Sequence, residues 1–317
     1  MAGKPIPSDV GGEVGLAPGA AILPPAMRRG LLGRALWPLL EERRTLTGIM
    51  TFVGLGFLLS FIVIAVAAPL ISPYDPLAIS PPELLKAPSA SHLMGTDHLG
   101  RDVLSRVFWG ARTSLMIMAI GVLVALVVGV PLGLTSGYLG GLVDRAMVLV
   151  MDSIYSFPGL LLAMALAAIL GRGVVNIGIA ITVIYIPLYF RVVRNHVVAV
   201  KQELFVEAAR ALGAKPSSVI ARYITFNVIS SIPVIFSISA ADAILTAAGL
   251  SFIGLGIDPP TPDWGADLAI AQQWLPNDVW WTSFFPGFMI LLLTVGLSML
   301  GEGINDIVNP LLRRTKA

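Results

Sequence analysis

Six long apolar runs set the fold of this chain of 317 residues. A helix that crosses a bilayer needs about 20 mostly apolar residues. Six segments meet this requirement: 48–70, 113–136, 146–170, 174–193, 226–250 and 284–304. The third is the weakest, because Asp152 and Pro158 interrupt its first half. The sequence therefore predicts an all-α integral membrane protein with six transmembrane helices.

The small supply of charge agrees with this prediction. Only 13% of the residues are charged, whereas soluble domains carry about 25%. Most of the outer surface must therefore face the lipid bilayer. A net charge of +2 is too small to indicate a nucleic acid partner. The absence of cysteine excludes disulfides, thiolate metal sites and a cysteine nucleophile.

The distribution of Lys and Arg predicts the direction of the spans, because cytoplasmic loops carry an excess of these residues. With the N-terminus inside, five basic residues fall on the outer side: Lys86, Arg101, Arg106, Arg112 and Arg172. Sixteen fall on the inner side: Lys4, Arg28, Arg29, Arg34, Arg43, Arg44, Arg145, Arg191, Arg194, Lys201, Arg210, Lys215, Arg222, Arg313, Arg314 and Lys316. We therefore expect a multi-pass protein of the cell membrane with both termini in the cytoplasm.

The loop between the fourth and fifth spans is too polar to cross the membrane. Its spacing predicts an amphipathic helix with one polar face, Glu203, Glu207 and Arg210, and one apolar face, Leu204, Ala208, Ala211 and Leu212. Gly213 then stands where a helix C-cap falls, and Pro216 can open a second helix. Such a helix either docks on another protein or rests on the bilayer surface, and geometry alone leaves both interpretations open.

Four stretches resemble one family of membrane proteins. The motif Glu207-Ala208-Ala209, followed by Gly213, resembles the EAA loop of ABC importer permeases. Segments 92–106, 249–265 and 280–310 resemble, in the family's order, the C-type subunit of the dipeptide/oligopeptide/nickel permeases. The resemblance covers about residues 40–315. One departure is the segment 223–226, Tyr-Ile-Thr-Phe, which stands where the family has an Ile-x-Leu-Pro-like end.

The resemblance implies a type I ABC importer permease fold and a transport subunit rather than an enzyme. It implies that an ATPase-coupling helix is formed by Glu207, Ala208, Ala209, Arg210 and Gly213. The implied partners are a homologous second permease subunit, two ATPase subunits and an extracytoplasmic substrate-binding protein. No cofactor is expected in this chain, because ATP and Mg would be bound by the ATPase subunits.

The function implied by the resemblance is to form half of the translocation pathway of an ATP-driven importer of di- or oligopeptides in the inner membrane. Nickel or another small solute stays open as the cargo. The corresponding division of the chain is a disordered N-terminal tail and interfacial segment (1–47), the first transmembrane helix and outer loop (48–112), the permease core (113–306) with its coupling loop (194–225), and a cytoplasmic tail (307–317).

Polar side chains outside the coupling loop allow two interpretations. Asp242 lies inside the fifth span, where an ionised Asp costs about 3 kcal/mol on insertion, so it contacts either substrate in the pathway or a neighbouring helix or subunit. The outer family motif contains Gly95, Thr96, Asp97, Gly100, Arg101, Asp102 and Arg106. It forms either a gate or docking surface, or a structural cap on the second span with an Asp102–Arg106 ion pair; we favour the cap.

Other chemistry has little support in the sequence. His92 and His98 are six residues apart with no third ligand nearby, so we interpret them as surface residues rather than as a metal site. No Gly-x-x-x-x-Gly-Lys-[Ser/Thr] loop occurs, so an ATPase must be a separate chain. Two other classes remain as alternatives: an ion-coupled secondary transporter, and an intramembrane enzyme, for which Asp242 has no evident partner carboxylate. We also expect the outer loop 257–283 to be ordered by its prolines and anchored by Trp264 at the interface.

Overall fold

The computed structural model describes residues 45–308, which contain helices and no β-strand. The helices are α1 (Leu46–Ile71), α2 (Val103–Leu139), α3 (Gly141–Tyr155), α4 (Gly159–Leu170), α5 (Val174–Val200), α6 (Leu204–Ala211), α7 (Ile232–Phe252), α8 (Trp264–Ala271) and α9 (Trp281–Val308). A 3-10 turn, Pro81–Glu83, lies between α1 and α2. The predicted tails, 1–44 and 309–317, lie outside the described residues.

The described helices confirm the all-α membrane fold. Five of them, α1, α2, α5, α7 and α9, are long and apolar enough to cross a bilayer. The predicted third span is a broken pair instead of one helix, because α3 and α4 meet at an angle of 87°. Pro158 stands directly before α4, as expected for a residue that cannot continue a helix. Counted as one crossing, the pair completes six spans.

Three span boundaries differ from the prediction. The second span begins at Val103 rather than 113, because Asp102 caps a helix that runs through the polar residues before the apolar run. The fourth continues to Val200 rather than ending at 193. The fifth begins at Ile232 rather than 226, after a series of short helical turns. Apolar runs locate the membrane-buried part of a helix but not its polar extensions.

A row of small residues lets α2 and α5 pack at close range. Gly121, Ala125, Gly129, Gly133 and Gly137 recur every fourth residue and are buried. A Cβ atom added at Gly129 would lie 2.7 Å from Cβ of Tyr189, and one added at Gly133 would lie 2.7 Å from the carbonyl oxygen of Phe190. Small residues at such spacing are typical of close helix contacts in membranes. The α2–α5 contact is the most extensive contact between two helices in the described part of the chain.

The outer loop 257–283 is ordered, as predicted, because it contains the helix α8. Trp264, however, does not anchor at an interface. Its ring is buried against α2, and its indole Nε1 donates a hydrogen bond of 3.0 Å to the carbonyl oxygen of Val107. The loop is therefore held by packing on the second span.

Candidate functional site

Two side chains of the short helix α6 are buried within the subunit. Val206 and Ala209 are buried, whereas the rest of α6 is exposed. Val206 belongs to an apolar cluster with Val193 and Val197 of α5 and with Val219 and Ile224 of the following turn. The residues of the predicted apolar face, Leu204, Ala208, Ala211 and Leu212, are all exposed, and the side buried within the subunit is a narrow stripe of Val206 and Ala209. This packing fixes α6 to the end of α5.

The turn after α6 is built on Gly213, as predicted. Gly213 has φ of +80°, a conformation that other residues adopt only with strain. Its N–H donates to the carbonyl oxygen of Arg210 at 2.9 Å, and the N–H of Ala214 donates to that of Ala209 at 3.0 Å. These two bonds form a Schellman motif. A second helix then opens at Pro216.

The outward side of α6 combines apolar and acidic groups. Leu204 and Leu212 are 80% and 89% exposed, and Glu207 and Ala208 are exposed beside them. Glu207 has no ion-pair partner within residues 45–308. An exposed pair of leucines beside an unpaired carboxylate is the composition of a contact surface.

Contacts that sequence reasoning missed connect α6 to the end of α2. The guanidinium of Arg210 lies over the ring of Tyr138, 5.2 Å from its centroid. Lys201 Nζ donates to the carbonyl oxygens of Gly137 and Tyr138 at 2.9 and 3.5 Å. The last carbonyl groups of a helix have no hydrogen-bond partner within the helix. The end of α2 was therefore a place to expect a basic side chain. Arg210 is thus turned partly toward its own subunit.

A second contact fixes the turn between α2 and α3. Asp144 accepts two hydrogen bonds of 2.6 Å from Arg194 of α5 and one of 2.6 Å from Ser136. Neither charged residue was singled out in the sequence. The bidentate pair joins α2, α3 and α5 on the side where α6 lies.

The chain returns to the membrane through irregular helical turns. Val219–Ile224 is a π-helical turn, and Thr225–Val228 and Ile229–Ser231 are short α and 3-10 turns. These turns occupy the place of the family's Leu-Pro end. The altered sequence therefore keeps a continuous helical connection into α7.

The residues of the outer motif form a compact hydrogen-bonded cluster. Asp97 accepts from the backbone N–H groups of Leu99 and Arg101 at 2.8 and 3.0 Å, and from Arg101 Nε at 2.6 Å. Gly95 and Gly100 have φ of +76° and +75°. Thr96 forms an isolated bridge with Asp102 and donates its hydroxyl to the carbonyl oxygen of Glu83. The segment is held from within.

Asp102 caps α2 and binds a histidine. Its Oδ2 accepts from the N–H and hydroxyl of Ser105 at 2.8 and 2.7 Å, and its Oδ1 lies 2.9 Å from Nδ1 of His92. The other ring nitrogen lies 3.0 Å from Glu83 Oε2. The predicted cap is confirmed, but the predicted Asp102–Arg106 pair is wrong. His92 is buried rather than on the surface.

The charges around His92 in this cluster favour the charged form of its imidazole. Burial opposes the charge on His92, but its bonds to Asp102 and Glu83 outweigh burial and raise its pKa. The hydrogen bond to His92 in turn lowers the pKa of Glu83. His98 is half-buried, and burial lowers its pKa. The two histidines of the motif therefore favour opposite charge states.

Arg106 reaches across to α8 instead of back along its own helix. Its Nη2 lies 2.5 Å from Asp267 Oδ1, and Nη1 donates to the carbonyl oxygens of Pro76 and Pro260 at 3.3 Å. Asp97 is 3.9 Å away. This buried contact joins the loop after α1 to α2 and α8. We call this assembly the outer cap.

The predicted site residues fall into three places. The five coupling residues lie on α6 and the turn after it, where Arg210 contacts Tyr138, and the seven outer residues lie at the other end of α2, about 55 Å away along that helix at 1.5 Å per residue. Asp242 is separate from both. Its Oδ2 accepts a hydrogen bond of 2.6 Å from the hydroxyl of Tyr185 on α5. The contact to a neighbouring helix is thus present, and the side chain remains exposed.

Comparison with known proteins agrees with the family resemblance found in the sequence. Residues 129–314 match the family described as binding-protein-dependent transport system inner membrane component. The dipeptide transport system permease protein of Alkalihalophilus pseudofirmus is 39% identical over 82% of this chain and 86% of its own. The glutathione transport system permease protein of Pectobacterium atrosepticum is 38% identical over 81% and 85%. A probable D,D-dipeptide transport system permease protein of Escherichia coli is 36% identical over 92% and 95%.

The match covers more than half of the chain, including α6, and the relatives align over most of their own length. The helical membrane architecture agrees with it. The chain therefore belongs to the family of binding-protein-dependent transport system inner membrane components and is a multi-pass permease subunit of an ABC transporter.

Proposed function

We propose that this subunit forms half of the translocation pathway of an ATP-driven importer of di- or oligopeptides. The relatives named for dipeptide, glutathione and D,D-dipeptide transport support peptides as the cargo. A homologous permease subunit would supply the other half, and an extracytoplasmic binding protein would deliver the peptide. The chain itself holds no cofactor in this proposal, because ATP and Mg bind to the two ATPase subunits.

The exposed face of α6 is the observation that carries this proposal. Its inner stripe is fixed to the subunit, while Leu204, Glu207, Ala208 and Leu212 are free to contact another protein. A rigid helix with one face outward suits an ATPase groove, and its movement would pass to α2 and α5.

The proposal places α6 and both termini in the cytoplasm, in agreement with the distribution of Lys and Arg. Reporter fusions after Met27 and at Ala317 test this orientation. An extracytoplasmic signal from either fusion would contradict it, because the ATPase subunits could then not reach α6.

Reversing the charge of Glu207 tests the docking surface directly. In the complete importer, Glu207→Arg should leave membrane abundance unchanged, because the residue lies outside the spans. A misplaced charge at a contact surface costs several kcal/mol, so co-purification of the ATPase subunits and peptide uptake should both fall more than about tenfold. Glu207→Gln, which removes the charge without reversing it, is the control and should lose less.

A helix resting on lipid gives the opposite result. Glu207→Arg would then bind the ATPase subunits and import peptide as the wild-type chain does. That outcome in a correctly inserted variant would overturn the assignment of α6 as the coupling helix.

A further inference from the structure

A carboxylate and a tyrosine hydroxyl meet at the middle of the fifth span. Asp242 is the central residue of the 21 residues of α7, and its Oδ2 accepts a hydrogen bond of 2.6 Å from Tyr185. Its neighbours Ala241 and Ala243 are buried, whereas Asp242 is exposed. Tyr185 is its hydrogen-bond partner within the described residues, so most of the acceptor capacity of the carboxylate is unused.

Asp242 faces a cavity of about 360 Å³ with mostly apolar walls. The lining comes from α7, α5, α3, α4 and the break between α3 and α4, and it includes Asp242, Tyr185, Tyr155 and Phe157. This volume is within the range of small-molecule sites. An apolar pocket with one convergent polar pair is the usual composition of such a site.

Two independent features indicate that this cavity faces water or protein rather than lipid. The first is the position of Asp242, because a charged side chain in a span faces a water-filled cavity or the bundle interior. The second is the non-helical backbone at 156–158, between α3 and α4. Irregular backbone at membrane depth is tolerated only where protein buries it or where it lines water. Phe157 of this break lines the cavity that Asp242 faces.

The charges around the cavity favour a cationic ligand. Arg191 lies 4.1 Å from the ring centroid of Tyr155, but its charge is paired with Asp152 at 2.8 Å. The carboxylate of Asp242 has no basic partner within residues 45–308. The cavity wall therefore carries a carboxylate without a basic partner, and the aromatic ring of Phe157, a group that attracts cations, lines the same cavity.

The donor set suits an organic ammonium better than a metal ion. A Ca²⁺ ion takes six to eight oxygen ligands, and Mg²⁺ demands octahedral geometry, whereas this site offers one carboxylate and one phenol. An ammonium group is satisfied by charge-assisted hydrogen bonds to a single carboxylate and by aromatic faces. We propose that Asp242 and Tyr185 bind the α-ammonium group of a peptide as it passes through this subunit. The inference rests on the proposed function, that the chain conducts peptides.

The geometry also provides a matched control pair on the same two helices. Tyr189, one turn along α5 from Tyr185, has its hydroxyl 2.7 Å from that of Ser239 on α7. Both residues are buried and neither lines the cavity. Tyr189→Phe therefore removes an equivalent contact between α5 and α7 without touching the proposed ammonium site.

Uptake of dialanine and N-acetyl-dialanine by the complete importer in proteoliposomes tests the proposal. Asp242→Asn should lower dialanine uptake about tenfold at subsaturating peptide, the loss expected for one hydrogen bond to a charged group. Asp242→Glu, which keeps the charge, should retain most of the activity. Tyr185→Phe should lose about threefold, since the carboxylate is left unoriented, and Tyr189→Phe should match the wild-type chain. Uptake of N-acetyl-dialanine, which has no ammonium group, should change less than twofold in every variant.

ATP hydrolysis stimulated by the binding protein separates this inference from the proposed function. If stimulation persists in Asp242→Asn while dialanine uptake falls and Asp242→Glu restores it, the ammonium site is supported. Wild-type dialanine uptake in Asp242→Asn, or equal loss in Asp242→Asn and Asp242→Glu, overturns it. If Asp242→Asn fails to assemble, Asp242→Glu and Tyr185→Phe decide. Retained dialanine uptake in Asp242→Glu together with the threefold loss in Tyr185→Phe then supports the ammonium site, and wild-type dialanine uptake in Tyr185→Phe overturns it. Absence of coupling or peptide uptake in the wild-type complex would instead refute the proposed function.

Discussion

The guanidinium of Arg210 lies over the ring of Tyr138, 5.2 Å from its centroid, and so connects the short helix α6 to the last turn of α2. Lys201 binds the carbonyl oxygen of the same Tyr138. Because α2 continues to Asp102 of the outer motif, we expect a displacement of α6 to reach this end of α2 through the contact. This contact would couple the two ends of the molecule.

Tyr138→Leu should reduce coupling without preventing assembly. Leu keeps apolar bulk but removes the aromatic face, which is worth about 0.5–1 kcal/mol at an exposed site. We expect the ATPase subunits to co-purify normally and the peptide imported per ATP hydrolysed to fall about two- to fivefold. Tyr138→Phe retains the ring and should behave as the wild-type chain. Equal coupling in the Leu and Phe variants would show that the ring is not used.

Gly213 is required for its backbone conformation and not for space. No atom would lie within 4 Å of an added Cβ, so only the φ of +80° restricts this position. Gly213→Asn should be tolerated, because Asn adopts this region at small cost. Gly213→Pro fixes φ near −65° and removes the N–H that binds Arg210. We expect the Pro variant to insert normally but to lose ATPase binding and uptake more than about tenfold. A Pro variant as active as the Asn variant would contradict this role of the turn.

The sequence predicted the features that depend on local chemistry. Apolar run length located the spans, and Gly213 and Pro216 marked the turn beside α6, because these residues act through their own backbone. The sequence did not show which side of α6 is buried within the subunit, since eight residues offer too few turns to reveal that stripe. Burial of Val206 depends on Val219 and Ile224, which follow only after the turn.

Long-range partners were the other main failure. Asp102 and Arg106 have helical spacing, yet His92 and Asp267 take their places as partners because the loop and α8 fold over them. The spacing of Gly121, Gly129, Gly133 and Gly137 was a usable signal for close packing in a membrane. The partner helix α5, however, could not be identified from the spacing alone.

His92 should make the outer cap sensitive to alkaline pH. Its folded-state pKa is raised by Asp102 and Glu83 above the ordinary value of about 6.5. The stabilisation that charged His92 contributes is therefore fully present at pH values below the ordinary pKa. It is lost as the pH rises through the folded-state pKa. His92→Gln should cost about 2 kcal/mol at low pH, because buried Asp102 loses its charged partner, and less at high pH.

Thermal unfolding of the purified importer between pH 5.5 and 8.5 checks this difference. Other groups titrate in the same range: burial raises the pKa of Asp263 to about 6 and lowers that of His98. Both are present in the wild-type chain and in His92→Gln, so the difference between the two curves isolates His92. The difference in unfolding temperature between the wild-type chain and His92→Gln should become smaller as the pH rises. Parallel curves would mean that the folded protein does not raise the pKa of His92.

Gly129 should tolerate no side chain, because it lies where α2 packs closely on α5. The Cβ of Ala at this position would lie 2.7 Å from Cβ of Tyr189 and 2.9 Å from the carbonyl oxygen of Ile186. Neither is the end of a flexible side chain, so the helices themselves must separate. Overpacking of this kind costs about 1–3 kcal/mol, and we expect Gly129→Ala to lower the unfolding temperature and the yield of assembled importer.

Gly56→Ala is the matched control for this change. Gly56 also lies within a membrane span, on α1, but an added Cβ would have no atom within 4 Å. Ala is the better helix former by about 1 kcal/mol, so this variant should be as stable as the wild-type chain or slightly more so. Unfolding temperatures measured in one detergent compare the two variants directly. If Gly129→Ala is as stable as Gly56→Ala, the close contact between α2 and α5 does not limit the stability of this permease.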